Sequence, residues 1–252
     1  MYGQEQIKKV QNRLLEMAIA ISGILENHDI PYIITYGTLL GAVRNKGFIP
    51  WDDDFDFYLF EDTYQEAMNV LREELPQDMF LENEDSEPLY FHGWSHVKDM
   101  NSYVECDLFP QDNSYSHHGI SVDLYKLSKV RKGNEELFRL NENIAYFERK
   151  RVKGFMTDAQ FEEKVAAVRE RISQIKPVEE GASDEWTYLS VFIDWFEPED
   201  LFPLKKYAFE NTCFYGPNNA DAQLTRRYGD YMTLPPENQR VPHYSVVKFY
   251  QE

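Results

Sequence analysis

The chain has 252 residues, a formal net charge of −18 and 42% hydrophobic residues, and 15% of the chain is aromatic. That much apolar surface builds a core and argues against disorder, and so acidic a surface repels a phosphate backbone, so nucleic acid is not expected as a partner. Cys106 and Cys213 match neither a zinc spacing nor a disulfide framework, which fits a reducing, cytoplasmic compartment. There is no signal-peptide layout and no apolar run long enough to span a bilayer, which leaves peripheral attachment at the inner face of a membrane open.

In residues 4–28, Ile7, Val10, Leu14, Met17, Ile21 and Leu25 recur every three or four positions, the period of a helix packed on a core. Pro31 ends that pattern, and the β-rich residues 32–36 read as a short buried strand. Gly37-Thr38 makes a turn, residues 39–44 form one or two helical turns, and Gly47 and Pro50 punctuate the chain. Residues 54–60 first alternate acid with apolar and then become wholly apolar, a strand with one buried face and one face of carboxylates. Asp62 and Gln65 have the spacing of a capping box for a helix reaching about Leu75. Residues 79–130 read as several strands, in one of which Asp123 alternates with apolar neighbours. Residues 133–195 are charged and mainly helical, and one more helix is expected over residues 219–228. The predicted class is α+β, a mixed sheet flanked by helices: a core in residues 1–130, a helical insertion or flank in 131–197, and a segment completing the core domain in 198–252.

Asp52, Asp54 and Asp56 share one face if their strand begins early enough, and Asp53 then points away. One like-charge pair at about 4 Å and an effective dielectric of about 20 costs roughly 4 kcal/mol. Three such carboxylates stay ionised together only with bound cations or in water; otherwise one keeps its proton. Mg²⁺ resolves the repulsion well, with Mn²⁺ as a substitute, because it takes a few carboxylates and completes its shell with substrate phosphates. Acid runs are usually solvated turns, but this one sits in an apolar strand with Trp51 and Phe55 interleaved. Gly37 lets backbone amides approach a phosphate closely, Thr38 adds a hydroxyl, and Arg44 and Lys98 are candidate phosphate partners.

The stretch Tyr36-Gly37-Thr38-Leu39-Leu40-Gly41-Ala42-Val43-Arg44, continued by Gly47-Phe48-Ile49-Pro50-Trp51-Asp52-Asp53-Asp54-Phe55-Asp56, resembles the signature of the LicD family. The resemblance continues at Lys98-Asp99, at His117-His118-Gly119-Ile120 with Val122-Asp123, and at Tyr228-Gly229-Asp230-Tyr231-Met232 with Pro235-Pro236. LicD-like proteins have the nucleotidyltransferase fold. They include bacterial enzymes that move phosphocholine from CDP-choline to cell-surface glycans, and the fukutin-type ribitol-phosphate transferases. By position, the resemblance implies that Gly37 and Thr38 contact nucleotide phosphates and that Asp54 and Asp56 bind Mg²⁺ with Asp52 close by. It implies Asp123 as the third catalytic carboxylate, a metal ligand or general base. Arg240 and His243 are expected to close over the site, and His118 is a weaker candidate for contact. The fukutin-type zinc cysteines have no counterpart, so no zinc is expected.

The reaction implied is attack by a hydroxyl of a glycan or glycolipid acceptor on the donor phosphorus nearer the transferred group, with CMP leaving. Two other readings use the same residues: a nucleotidyltransferase that releases pyrophosphate, and a non-catalytic cation- or nucleotide-binding scaffold. Tyr90, Phe91, Trp94, Tyr103, Trp186 and Trp195 are rings available either for a choline pocket or for the core.

Overall fold

The computed structural model describes residues 3–105, 109–179, 181, 184–192 and 194–250. Cys106 lies outside them, and Cys213 is a free, exposed thiol. Helix α1 (Gln4–Asn27) buries its apolar stripe, with Val10, Leu14, Met17, Ile21 and Leu25 all inaccessible. Its buried Gln11 donates from Nε2 to the carbonyls of Ile49 (3.0 Å) and Asp52 (2.9 Å), so the helix also anchors the approach to the acidic run. Strand β1 (Tyr32–Ile34) is shorter than expected, because Tyr36 already opens α2 (Tyr36–Arg44) and Gly37 and Thr38 lie in the first turn of that helix.

Strand β2 (Phe55–Phe60) pairs antiparallel with β1 and parallel with β6 (Ser121–Arg131). All six of its residues are buried. Phe55, Phe57 and Leu59 enter the main core, and Tyr58 and Phe60 join a smaller one with Ile33, Tyr36, Leu127 and Phe196. The expected carboxylate face is therefore polar only at its start, because both sides of the sheet are covered. Helix α3 (Glu61–Glu74) starts straight after Phe60, and the expected capping box does not form: Gln65 bonds to Asn69 (3.2 Å) instead. Glu61 and Asp62 in its first turn meet the positive end of the helix dipole.

Strands β3 (Met79–Glu82) and β4 (Ser95–Asp99) complete the order β1-β2-β6-β4-β3, and β5 (Ser102–Val104) lies apart from it. Strand β6 is long enough for two sets of partners. Its first half lies between β2 and β4, and its far end pairs with β7 (Trp186–Ser190), which in turn pairs with β8 (Trp195–Phe196). Among its described residues, the region expected to be mainly helical is helical in α4 (Glu135–Val152) and α5 (Asp158–Gln174) only. The open edge of β6 recruits the aromatic and β-branched run Trp186-Thr187-Tyr188-Leu189 as a strand. The capping box of this region is Thr157 with Gln160, which starts α5.

The chain continues through α6 (Pro198–Leu201) into the hairpin of β9 (Lys205–Phe209) and β10 (Thr212–Gly216), whose Phe209 and Phe214 pack 5.3 and 5.2 Å from Phe55. Asn219 caps α7 (Ala220–Tyr228), its side chain accepting from the Ala222 amide at 3.2 Å. Strand β11 (Val247–Phe249) returns to pair with β5. The result is the expected α+β mixed sheet flanked by helices. Among the described residues no helix is long and apolar enough to cross a membrane.

Candidate active site

The parallel register of β2 and β6 sets Asp56 opposite Asp123, so both carboxylates occupy one face of the sheet. Asp52 to Asp54 precede the strand, in irregular chain held by Gln11 and by a turn in which the Asp52 amide donates to the Ile49 carbonyl (3.0 Å). Together they open onto a cleft of about 570 Å³ whose walls include Tyr36, Gly37, Asp52, Asp54, Asp56, Tyr125, Arg227, Tyr228 and His243.

Carboxylate oxygens of Asp52 and Asp54 and a ring nitrogen of His243 all lie within 4.8 Å of one another. Asp53 turns away from this cluster as expected, but not by strand alternation, because residues 52–54 precede β2. Its Oδ1 accepts from the amide (2.8 Å) and Nδ1 (3.0 Å) of His243, and its Oδ2 from the Tyr244 amide (3.0 Å). Asp53 is thus the buried peg on which the C-terminal segment hangs, and that attachment delivers His243 to the cleft. His243 Nδ1 is also 3.4 Å from Asp54 Oδ2.

Burial, then the adjacent Asp54, holds Asp52 well above the usual carboxylate range, and the same causes with Asp123 raise Asp56. Burial pushes Asp54 up to about 6 against the opposing charge of His243. The hydrogen bond to Asp53, and then the charge of Asp54, raises His243 to about 10. An imidazolium and shared protons therefore quiet a cluster that a divalent cation would also quiet. Asp54 Oδ1 is buried and has no hydrogen-bond partner among the described residues, an acceptor left over for a cation. The oxygen donors of Asp52, Asp54 and Asp56 fit a hard ion such as Mg²⁺, and His243 Nδ1, committed to Asp53, serves as a counter-charge.

Asp56 and Asp123 both lie outside the tight trio of Asp52, Asp54 and His243, and Asp56 lines the same cleft. Asp123 Oδ2 accepts from the Tyr125 hydroxyl at 2.8 Å, and the charge of Asp123 still bears on Asp54 and Asp56. His96, across from it on β4, has Nε2 3.6 Å from Asp123 Oδ1. That contact is not an ion pair. Nε2 accepts the indole N–H of Trp94 (3.0 Å) and so carries no proton, and burial depresses His96 to about 3.

Helix α2 supplies the opposite wall. A Cβ at Gly37 would stand 2.7 Å from Asp52 Oδ2, so this close approach requires glycine. The Thr38 hydroxyl accepts the Asp56 amide (3.0 Å) and sets the entry of β2. Tyr36 has φ 48°, a left-handed conformation that costs a bulky residue about 1–3 kcal/mol. Its surroundings over-determine it. The Tyr58 hydroxyl is hydrogen-bonded to that of Tyr36 and to Asp194 Oδ2 (3.0 Å), Arg227 donates to Asp194 Oδ1 (2.7 Å), and the Arg227 guanidinium lies 4.2 Å over the Tyr36 ring.

The other candidates are dispersed. Arg44 feels the charge of Asp52 but donates to the Tyr231 carbonyl (3.0 Å). Arg240 donates to the Pro235 carbonyl (2.8 Å) with its guanidinium 5.5 Å from the Trp51 ring, and its neighbours Gln239 and Val241 line the cleft. Lys98 is buried beside Glu82 (3.9 Å), and His118 packs on Tyr103 (5.4 Å); neither lines the cleft. Arg227 escaped the reading of the sequence. Its one signal was its place directly before Tyr228-Gly229.

Compared with known proteins, residues 29–130 match the LicD/FKTN/FKRP nucleotidyltransferase domain. The chain is 29% identical over 241 residues to the lipopolysaccharide cholinephosphotransferase LicD of Haemophilus influenzae, covering 88% of this chain and 89% of that protein. It is also 25% identical over 145 residues to an uncharacterized protein of Rickettsia prowazekii, covering 50% of this chain and 49% of that one.

Proposed function

The chain belongs to the LicD family, and on that premise we propose that it is a metal-dependent phosphotransferase moving phosphocholine from CDP-choline to a hydroxyl of a cell-surface glycan or its precursor, with release of CMP. The observation that carries the chemistry is the cluster of buried Asp52 and Asp56 with half-buried Asp54, whose Oδ1 is unpartnered among the described residues, opening on a cleft walled by the start of α2. The head group and the glycan acceptor follow the name of the Haemophilus influenzae relative.

In this reading Asp54 and Asp56, with Asp52, hold Mg²⁺, which when bound neutralises charge developing on the diphosphate. The first amides of α2 have no intrahelical acceptor and, with the helix dipole, receive phosphate oxygens. Arg227, held by Asp194, pairs with one of them. The acceptor oxygen forms a bond to the phosphorus that carries choline. The bond from that phosphorus to the CMP oxygen breaks, and CMP leaves with the electron pair. The hydroxyl proton passes to Asp123, which is half-buried and outside the metal-holding group.

The test is CMP release from CDP-choline with Mg²⁺ and a lipopolysaccharide or teichoic acid acceptor. Acceptor-dependent CMP is expected; pyrophosphate release from CTP in its place would make the protein a nucleotidyltransferase. Asp54→Asn should lower turnover at least about 100-fold with an unchanged circular-dichroism spectrum, since a bound metal supplies several kcal/mol of charge stabilisation. Near-normal activity in that variant would remove the metal assignment.

A further inference from the structure

A second cavity of about 210 Å³ adjoins the cleft and shares Phe192 with it. Phe192 is the partition. On the cleft side its ring lies 5.5 Å from Tyr125 and 6.3 Å from Tyr36; on the other it lies 5.3 Å from Trp94. Trp94 and Phe109, 6.1 Å apart and tilted at 59°, form a corner of ring faces. Helix α4 closes the cavity with Glu142 and Tyr146, one turn apart on the same face, and with Arg149 beyond them. Arg149 is fixed, its Nε donating to the Phe91 carbonyl at 3.0 Å.

Ring faces set against a carboxylate and a guanidinium fork suit a sugar ring. The C–H faces of a pyranose pack on aromatic planes, while its edge hydroxyls donate to Glu142 and accept from Arg149. A quaternary ammonium would also favour the rings. For a cation the charge of Arg149 offsets the attraction of Glu142, whereas a neutral sugar uses the carboxylate as acceptor and the guanidinium as donor. The position matters as well, because the cavity is separated from the carboxylate cleft by one ring that is only partly buried. Glu142, Tyr146, Arg149 and Phe192 all lie outside the 29–130 segment that matches the family domain. Trp94 and Phe109 lie within that segment, so the cavity joins the family domain to the added helix α4.

We propose that this cavity binds one pyranose ring of the glycan acceptor, adjacent to the sugar whose hydroxyl enters the cleft past Phe192. The assignment rests on the phosphotransferase function proposed above. Saturation-transfer NMR with the methyl glycosides of glucose, galactose, N-acetylglucosamine and N-acetylgalactosamine tests it on the full chain, alongside Tyr146→Ala and Glu142→Gln. Both sites lie on a half-exposed helix face, and thermal unfolding of each variant checks that the fold is kept. At least one glycoside is expected to bind with millimolar affinity and to weaken about tenfold or more in each variant, a change of about 1.4 kcal/mol. The Kd of CDP-choline with Mg²⁺, measured by calorimetry, should not move. Binding of choline chloride in place of the glycosides, glycoside binding indifferent to both substitutions, or no glycoside binding would each overturn the proposal. The two readings fail separately. Glycoside binding without any CMP release counts against the transferase alone, and CMP release with an unchanged acceptor KM in both variants counts against the subsite alone.

Discussion

At Gly37 a single hydrogen separates α2 from the Asp52 carboxylate. In Gly37→Ala the new Cβ would stand 2.7 Å from Asp52 Oδ2, and the carboxylate, as the movable end of a side chain, is what gives way. The fold should survive with a stability change of roughly 1 kcal/mol or less, while the Mg²⁺ concentration for half-maximal turnover rises about tenfold, the equivalent of about 1.4 kcal/mol. A Mg²⁺ titration of the rate checks this; an unchanged curve would mean that Asp52 has no part in holding the ion. Arg227 makes the complementary prediction. Arg227→Lys keeps the charge but loses the planar guanidinium that donates to Asp194 while stacked on Tyr36. The donor KM should rise about tenfold, which a steady-state CDP-choline series would read. The acidic run was visible in the sequence because it is local, although the strand takes in Asp56 and starts after Asp54. Arg227 was not, since nothing near it records that α7 packs beside α2.

At the scale of elements, the C-terminal segment behaves as a strap. It is pegged by the three hydrogen bonds of Asp53 and tied down by the pairing of β11 with β5. Asp53→Asn replaces a carboxylate by an amide with one acceptor, and bonds to a charged group are worth about 1.5–3 kcal/mol each. The amides of His243 and Tyr244 should lose hydrogen-exchange protection and the protein roughly 2–3 kcal/mol of stability, with α1 still protected. Unaltered exchange at those two amides would show that the strap is held elsewhere. The elements themselves were unequally legible. The stripe of α1 and the extent of α7 are set within a few residues, so period and spacing reveal them. The start of α3 was misjudged because Glu61 and Asp62 use the helix dipole rather than a side-chain cap. Strand β7 was missed because it exists only where the far end of β6 offers an open edge.

For the whole molecule, the cleft links protons and stability to the proposed metal. Asp54 rises from 3.8 to about 6, and Asp52 and Asp56 shift the same way, so the metal-free native state binds protons more tightly than the unfolded chain does. Asp54 therefore favours the metal-free fold increasingly as pH falls through about 6 towards 4 and ceases to favour it above that range, and Asp52 and Asp56 act in the same direction. His243, raised from 6.5 to about 10, contributes stability that is complete below its ordinary value and lost as pH rises through about 10. On the proposed metal assignment, Mg²⁺ competes with the carboxylate protons. Its thermal stabilisation should be clear at about pH 8 and nearly absent at about pH 5, following RT ln(1 + [L]/Kd) with an effective Kd that acid raises. Unfolding curves with Mg²⁺ and with EDTA at both pH values measure it; equal shifts would place the ion away from these carboxylates.

Sequence alone determined the α+β class, the family signature, the helix of the N-terminal stripe, and an acidic run leading into an apolar strand, with Asp53 facing elsewhere. All of these are written in periods and motifs that act over short spans of chain. Tertiary structure alone decided which charges meet. It set Asp52 rather than Asp123 beside Asp54, hung His243 over the cluster by way of Asp53, brought Arg227 across the cleft, and withdrew Lys98 to the buried side of Glu82. Those choices depend on strand register and on packing between segments far apart in the chain, and a one-residue slip in register would send each side chain to the opposite face.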